Sequence, residues 1–153
     1  MKAIRIYRAK PNPFGKDRVG GTTPAKQLAG EWIDLESIGD ETIYLGGLTL
    51  YHTAYQPGCR DPKWEAVIAL SGSLLPGQVL RVHSGHELST YQMNPEDVAG
   101  ADRRLFTNRN YVWNNRCGDE AGIYDGQVFV DKAWYQPNPT EGRILVRQGD
   151  KLV

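Results

Sequence analysis

His83 and His86 stand three residues apart in His83-Ser84-Gly85-His86, a spacing at which two imidazoles can share a metal ion. A structural zinc site wants four ligands, and beyond Glu87 no Cys or carboxylate cluster adjoins the pair in sequence. Gly85 does not fix the two rings on one face, so one strand-end His and one loop His are expected. Asn12, Asp17 and Glu31 offer the hard oxygen ligands that Ca²⁺ takes, but without the alternating acidic spacing of a calcium loop. Asx turns and ion pairs to Lys16 or Arg18 are the preferred account of them. The expectation is therefore no metal and no cofactor.

Cys59 and Cys117 are the two cysteines. Neither lies at a helix start that would lower a thiol pKa, so cysteine catalysis is not expected. Two cysteines are too few for a disulfide framework, and the expectation is a pair of free thiols in a cytoplasmic protein. A Cys59–Cys117 disulfide is the alternative, since both residues fall in loops and their separation in space is not legible. No nucleophile, base and orienting group assemble from the motifs, so the chain is not expected to be an enzyme.

Charge supplies the remaining chemistry. Lys and Arg number 18, as do Asp and Glu, and the formal net charge is zero. That balance excludes a globally basic nucleic-acid binder and an acidic disordered tail. It hides an asymmetry: residues 1–30 hold seven Lys and Arg against Asp17 alone, while residues 31–58 hold five acids and no base. A basic strand beside an acidic one is the fold-level explanation. Arg5, Arg8, Lys16 and Arg18 on the first segment could also touch phosphate. Arg103, Arg104 and Arg109 lie near Phe106, Tyr111 and Trp113, a basic and aromatic stretch of the kind that stacks bases. Edge protection by charge is the simpler reading of both groups.

The elements that must position these residues are short strands. The 153 residues fit one domain with a core of its own, and Gly 17 with Pro 9 punctuate it densely. Ile4 and Ile6 alternate with Arg5 and Tyr7, and Ile33 and Leu35 share a face of Glu31-Trp32-Ile33-Asp34-Leu35-Glu36. Further strands are expected at 43–45, 48–50, 64–70, 78–83, 111–113 and 123–124, with a return strand at 128–130 after the Asp125-Gly126 hairpin signal. Residues 143–147 could add another. Residues 15–30, 51–63 and 84–110 read as loops, the last with one helical turn capped by Asn94 and opened by Pro95. Seven to nine such strands, by this reading, make an antiparallel sandwich of immunoglobulin type or a barrel. No apolar run approaches a membrane span, and the N-terminus carries no signal-peptide pattern.

The ordered series Glu31-Trp32-Ile33-Asp34-Leu35-Glu36, Gly39-Asp40 and Leu45-Gly46-Gly47-Leu48-Thr49-Leu50 resembles the opening of the lamin-tail domain. The series continues with Leu75-Pro76-Gly77, Val79-Leu80-Arg81-Val82-His83-Ser84-Gly85 and Tyr111-Val112-Trp113-Asn114-Asn115. Cys117-Gly118-Asp119-Glu120-Ala121-Gly122-Ile123-Tyr124-Asp125 follows, then Gly126, Val130-Asp131 and Tyr135. Asn12-Pro13-Phe14-Gly15-Lys16-Asp17 is similar to the loop before the Glu-Trp strand in bacterial members. The resemblance spans residues 3–135 of a single domain, leaving 136–153 as a C-terminal extension. It implies an all-β, immunoglobulin-like antiparallel β-sandwich of the bacterial branch, since no heptad rod is present. It brings no catalytic residues. The function expected is a non-catalytic binding or adaptor module whose long loops meet a protein or other macromolecule. Nucleic-acid binding through the basic and Arg/aromatic surface is the alternative.

Overall fold

The computed structural model describes residues 2–153. Twelve strands run in chain order: β1 (Ile4–Lys10), β2 (Trp32–Ser37), β3 (Ile43–Tyr44), β4 (Thr49–Gln56), β5 (Arg60–Ala69), β6 (Ser73–Leu74), β7 (Val79–His83), β8 (Arg103–Phe106), β9 (Asp119–Tyr124), β10 (Phe129–Tyr135), β11 (Leu145–Gln148) and β12 (Lys151–Leu152). Two short helices, α1 (Ala25–Ala29) and α2 (Pro95–Val98), lie between them. The fold is all-β, as expected, but ten strands join one curled sheet in the order β5-β4-β9-β10-β12-β11-β1-β2-β7-β8. Pairing is antiparallel except at β10–β12 and β7–β8, which are parallel.

The charge asymmetry has the structural explanation anticipated for it. β1 pairs β2 with Arg5 opposite Glu36 and Arg8 opposite Asp34. On the same strands Ile4, Ile6, Ile33 and Leu35 turn inward to a core shared with Leu50 of β4, Leu80 of β7 and Ile123 of β9. The curl brings β1 against β10, and side chains supply the link there. The Ile6 amide donates to Asp131 Oδ2 at 2.7 Å, and Arg147 Nη1 donates to the Ile6 carbonyl at 2.9 Å and to Asp131 Oδ2 at 2.8 Å. An aspartate–arginine pair thus satisfies β1 backbone groups where burial would leave them without partners.

Several expected elements differ. Residues 51–63 are not a loop: β4 and β5 form a long hairpin turning at Pro57-Gly58-Cys59, where Gly58 and Cys59 take φ of 81° and 57°. Within 84–110 lies β8, which continues the sheet beside β7. Residues 111–113 are not a strand, although Val112 and Trp113 are buried. Residues 15–30 contain α1. The Asp125-Gly126 hairpin forms as expected, with Asp125 Oδ1 accepting from the amides of Gln127 and Val128, both at 2.9 Å. Pro95 opens α2 as expected, and Asn94 takes the position before it, but its side chain makes no capping hydrogen bond. The C-terminal extension adds β11 and β12.

Candidate functional site

A parallel pair such as β7–β8 needs a crossover, and residues 84–102 provide it over the outer side of β2. Two of the basic residues singled out above, Arg8 and Arg104, hold this crossover down together with Arg81. Arg81 Nη1 donates to the carbonyls of Asp97 and Ala99, Arg104 Nη1 to that of Asp97, and Arg8 Nη2 to that of Gly100. The guanidiniums therefore neutralise the free carbonyls at the end of α2. Arg81 also donates to both oxygens of Asp34, at 2.7 and 2.8 Å, and lies 3.7 Å above the Trp32 ring. Arg8 shares Asp34, and buried Lys10 pairs with Asp97, which also accepts from the Trp32 indole at 2.8 Å.

Arg5 pairs with Glu36 at 3.0 Å and Arg109 with Glu65 at 2.8 Å. Lys16, Arg18 and Arg103 are exposed, the first two in the 11–24 segment and the third on β8. Arg8 and Arg104 both reach the crossover, and Arg5 and Arg8 both lie beside the Tyr7 ring, at 5.4 and 4.7 Å from its centroid; Lys16 and Arg18, Arg103, and Arg109 lie on other parts of the fold.

His83 and His86 are a buried strand residue and an exposed loop residue. The His83 Nδ1–H donates to the Ala29 carbonyl at 2.6 Å, and Nε2 accepts from Arg104 Nη1 at 2.8 Å. Both nitrogens are thus used within the fold. Burial pulls the imidazole down to about 4, and the charges of Arg104, Arg81 and Lys10 act the same way. His86 meets Asn108 instead. Glu31 is fully enclosed: its Oε1 accepts from Ser84 Oγ and from the amides of Val112 and Trp113. Burial pushes this carboxyl up to about 8 despite those three donors. Among the described residues no group of three or more His, Cys, Asp or Glu is arranged to hold a metal ion.

Cys59 and Cys117 are not free thiols. They form a disulfide, with Cα atoms 5.6 Å apart, that ties the β4–β5 turn to the loop before β9. That loop is organised by Asp119, a residue the sequence reading passed over. Its carboxylate accepts from the amides of Thr53, Asn114 and Glu120, from Asn114 Nδ2, and from His52 Nδ1 at 2.9 Å. Asn114 Nδ2 also donates to the Thr53 carbonyl and so satisfies a backbone group of β4. Burial works against a charged His52, but its bond to Asp119 and the nearby Glu65 raise its pKa. Asp119–His52 has the form of an orienter–base pair, yet His52 Nε2 faces Glu65 at 3.5 Å. A carboxylate thus stands where a nucleophile would be needed.

The outer face of β5-β4-β9-β10 is different in kind. Trp64, Tyr51, Tyr124 and Phe129 gather there, all half-buried, with Trp64 and Phe129 ring centroids 4.5 Å apart. Gly122 lies beneath; a Cβ there would meet the Phe129 ring at 2.6 Å, so the glycine makes room for the aromatic layer. Beside this layer is an open cleft of about 530 Å³ lined by Trp64, Trp134, Tyr55, Lys63, Thr53 and Glu120, with Asp119 and the Cys117 end of the disulfide at its base. Register builds it: Trp64 stands opposite Thr53, and Glu120 opposite Trp134. Tyr51 and Trp134 each stand between two buried residues, but Trp64 and Phe129 do not, and only strand order places the four strands' aromatics side by side.

No protein-family model matches this chain, and no curated protein proves similar to it. Among the described residues no helix is long and apolar enough to cross a membrane.

Proposed function

We propose that this protein is a non-catalytic β-sandwich binding or adaptor module of the lamin-tail type, and that its aromatic outer face meets a macromolecular partner. The observation that carries the reading is a division of labour. The buried ionisable groups Glu31, Asp34, Asp97, Asp119 and His83 are engaged in holding the fold. The uncommitted aromatic surface lies on β4, β5, β9 and β10. Rigid sheets that present aromatics at the surface serve recognition, because rings offer large contact area at small entropic cost. The ordered motifs support the lamin-tail resemblance. The disulfide favours an oxidising compartment over the cytoplasm.

Nucleic-acid binding through Arg5, Arg8, Lys16, Arg18, Arg103, Arg104 and Arg109 draws less support, because Arg5, Arg8 and Arg109 already face carboxylates. The test is affinity capture from the source organism with the wild-type protein and with a Tyr51→Ala/Trp64→Ala/Phe129→Ala variant, scored for protein and polysaccharide. Material retained by the wild type alone supports the reading. Equal retention by both, or a hydrolytic activity that the triple variant keeps, overturns it.

A further inference from the structure

We infer that the cleft between Trp64 and Trp134 is a binding site for a neutral oligosaccharide; the inference rests on the binding-module reading and names the ligand class. The walls are two indoles, on β5 and β10, with β4 and β9 between them. Three interstrand spacings separate those strands, roughly 14 Å, which is room for a short chain of sugar rings lying across the strands. The apolar C–H face of a pyranose packs on an indole, while its hydroxyls need both donors and acceptors.

The cleft provides both. Glu120 supplies acceptor oxygens, Lys63 donors, and the Tyr55 hydroxyl either role. Among the described residues none of these three side-chain groups, nor either indole N–H, makes a hydrogen bond within the protein. The burial of Tyr55 and the carboxylates of Asp119 and Glu120 raise its pKa, so the hydroxyl keeps its proton to donate.

Charge selects among ligands that stack on rings. Asp119 and Glu120 line the cleft and offset Lys63 and Lys151, so a phosphodiester backbone meets no net positive charge, the main source of affinity for a nucleic acid. Cationic ligands meet Lys63 at the cleft and Lys151, whose ammonium already lies 4.9 Å from the Trp134 ring centroid. A proline-rich peptide presents mainly carbonyl acceptors to its groove and leaves Glu120 without a donor. A neutral polyhydroxylated ligand satisfies all of these groups and adds no charge.

The experiment is calorimetric titration and affinity electrophoresis of the full chain. The probes are cello-, xylo-, manno- and chito-hexaoses with the matching soluble polysaccharides, a dT15 oligonucleotide and a proline-rich decapeptide. Binding of at least one neutral glycan, weakened tenfold or more in both Trp64→Ala and Trp134→Ala, is the expected result. Circular dichroism should match the wild type; should either variant misfold, Trp64→Phe and Glu120→Gln replace it, and a weakening of threefold or more is then expected. No binding of any glycan at millimolar concentration, or glycan binding unaffected by these substitutions, overturns the inference. Binding of the oligonucleotide or the peptide alone, lost on substitution of Trp64, overturns the ligand class yet leaves the binding-module reading standing. No binding of any probe, together with equal capture by wild type and triple variant in the preceding experiment, removes both.

Discussion

Glu31 and His83 are two buried ionisable residues that the fold keeps uncharged near neutrality, with opposite consequences for stability. Glu31 holds its proton to about pH 8, whereas in the unfolded chain it ionises near 4.5. Its contribution is therefore complete below pH 4.5 and is lost as pH rises through 8. Glu31→Gln keeps an acceptor for the Val112 and Trp113 amides and removes the titration. Urea midpoints of the variant should vary less with pH than those of the wild type between 4.5 and 8; parallel profiles would contradict the assignment. His83 works the other way: its contribution is complete above 6.5 and fades as pH falls through about 4. Its ring resonances should keep neutral-imidazole shifts down to about pH 5, and an NMR midpoint near 6.5 would show that burial and the charges of Arg104, Arg81 and Lys10 do not act on it as placed. Asp34 is the counter-ion of buried Arg81 and partly exposed Arg8. Asp34→Ala leaves the Arg81 guanidinium buried without its carboxylate and should cost about 3–5 kcal/mol in denaturant unfolding. Beyond the Arg8–Asp34 pairing of β1 with β2, these roles were not legible from sequence. Asp34 and Arg81 are 47 residues apart, and Glu31 and Val112 are 81 apart; nothing local marks such partners.

At the scale of elements, legibility followed the range of the forces. Asp125-Gly126 closes its hairpin through bonds to its own neighbours, and Pro95 starts α2 for steric reasons confined to one turn. Both were readable. The pairing of β1 with β2 was readable from complementary charge. The β4–β5 hairpin was not, because Arg60-Asp61-Pro62-Lys63 shows no apolar alternation and its strand character comes from pairing with β4. That hairpin carries the disulfide across 58 residues. In the chain-entropy account a loop of that length stabilises the fold by about 4 kcal/mol. Cys59→Ser/Cys117→Ser should therefore lower the unfolding free energy by up to about that amount. Hydrogen exchange should quicken first at the β4–β5 turn and the 114–118 loop. Unchanged stability would show that the Asp119 network anchors that loop without the cross-link.

Over the whole molecule, one core lies inside a sheet whose two ends curl toward each other, so β1, β4, β7 and β9 cannot lose their packing separately. Unfolding followed by far-ultraviolet circular dichroism and by tryptophan fluorescence should therefore give coincident transitions. Separate midpoints would mean that the crossover at 84–102 melts on its own. The zero net charge has its meaning at this scale too: basic β1 lies on acidic β2, and the crossover is clasped by Arg8, Arg81 and Arg104. By itself the sequence determined the all-β class, most strand positions and the tight turns, since these depend on alternation and on backbone sterics within a few residues. It showed Ile33 and Leu35 as one buried face of β2 but could not show that Trp32 and Asp34, on the other face, are buried as well. Only the tertiary structure decided that, together with the Cys59–Cys117 bond, the Asp119 hub and the Trp64–Trp134 cleft. Each depends on which distant strands become neighbours, and that follows from closing the whole sheet around one core.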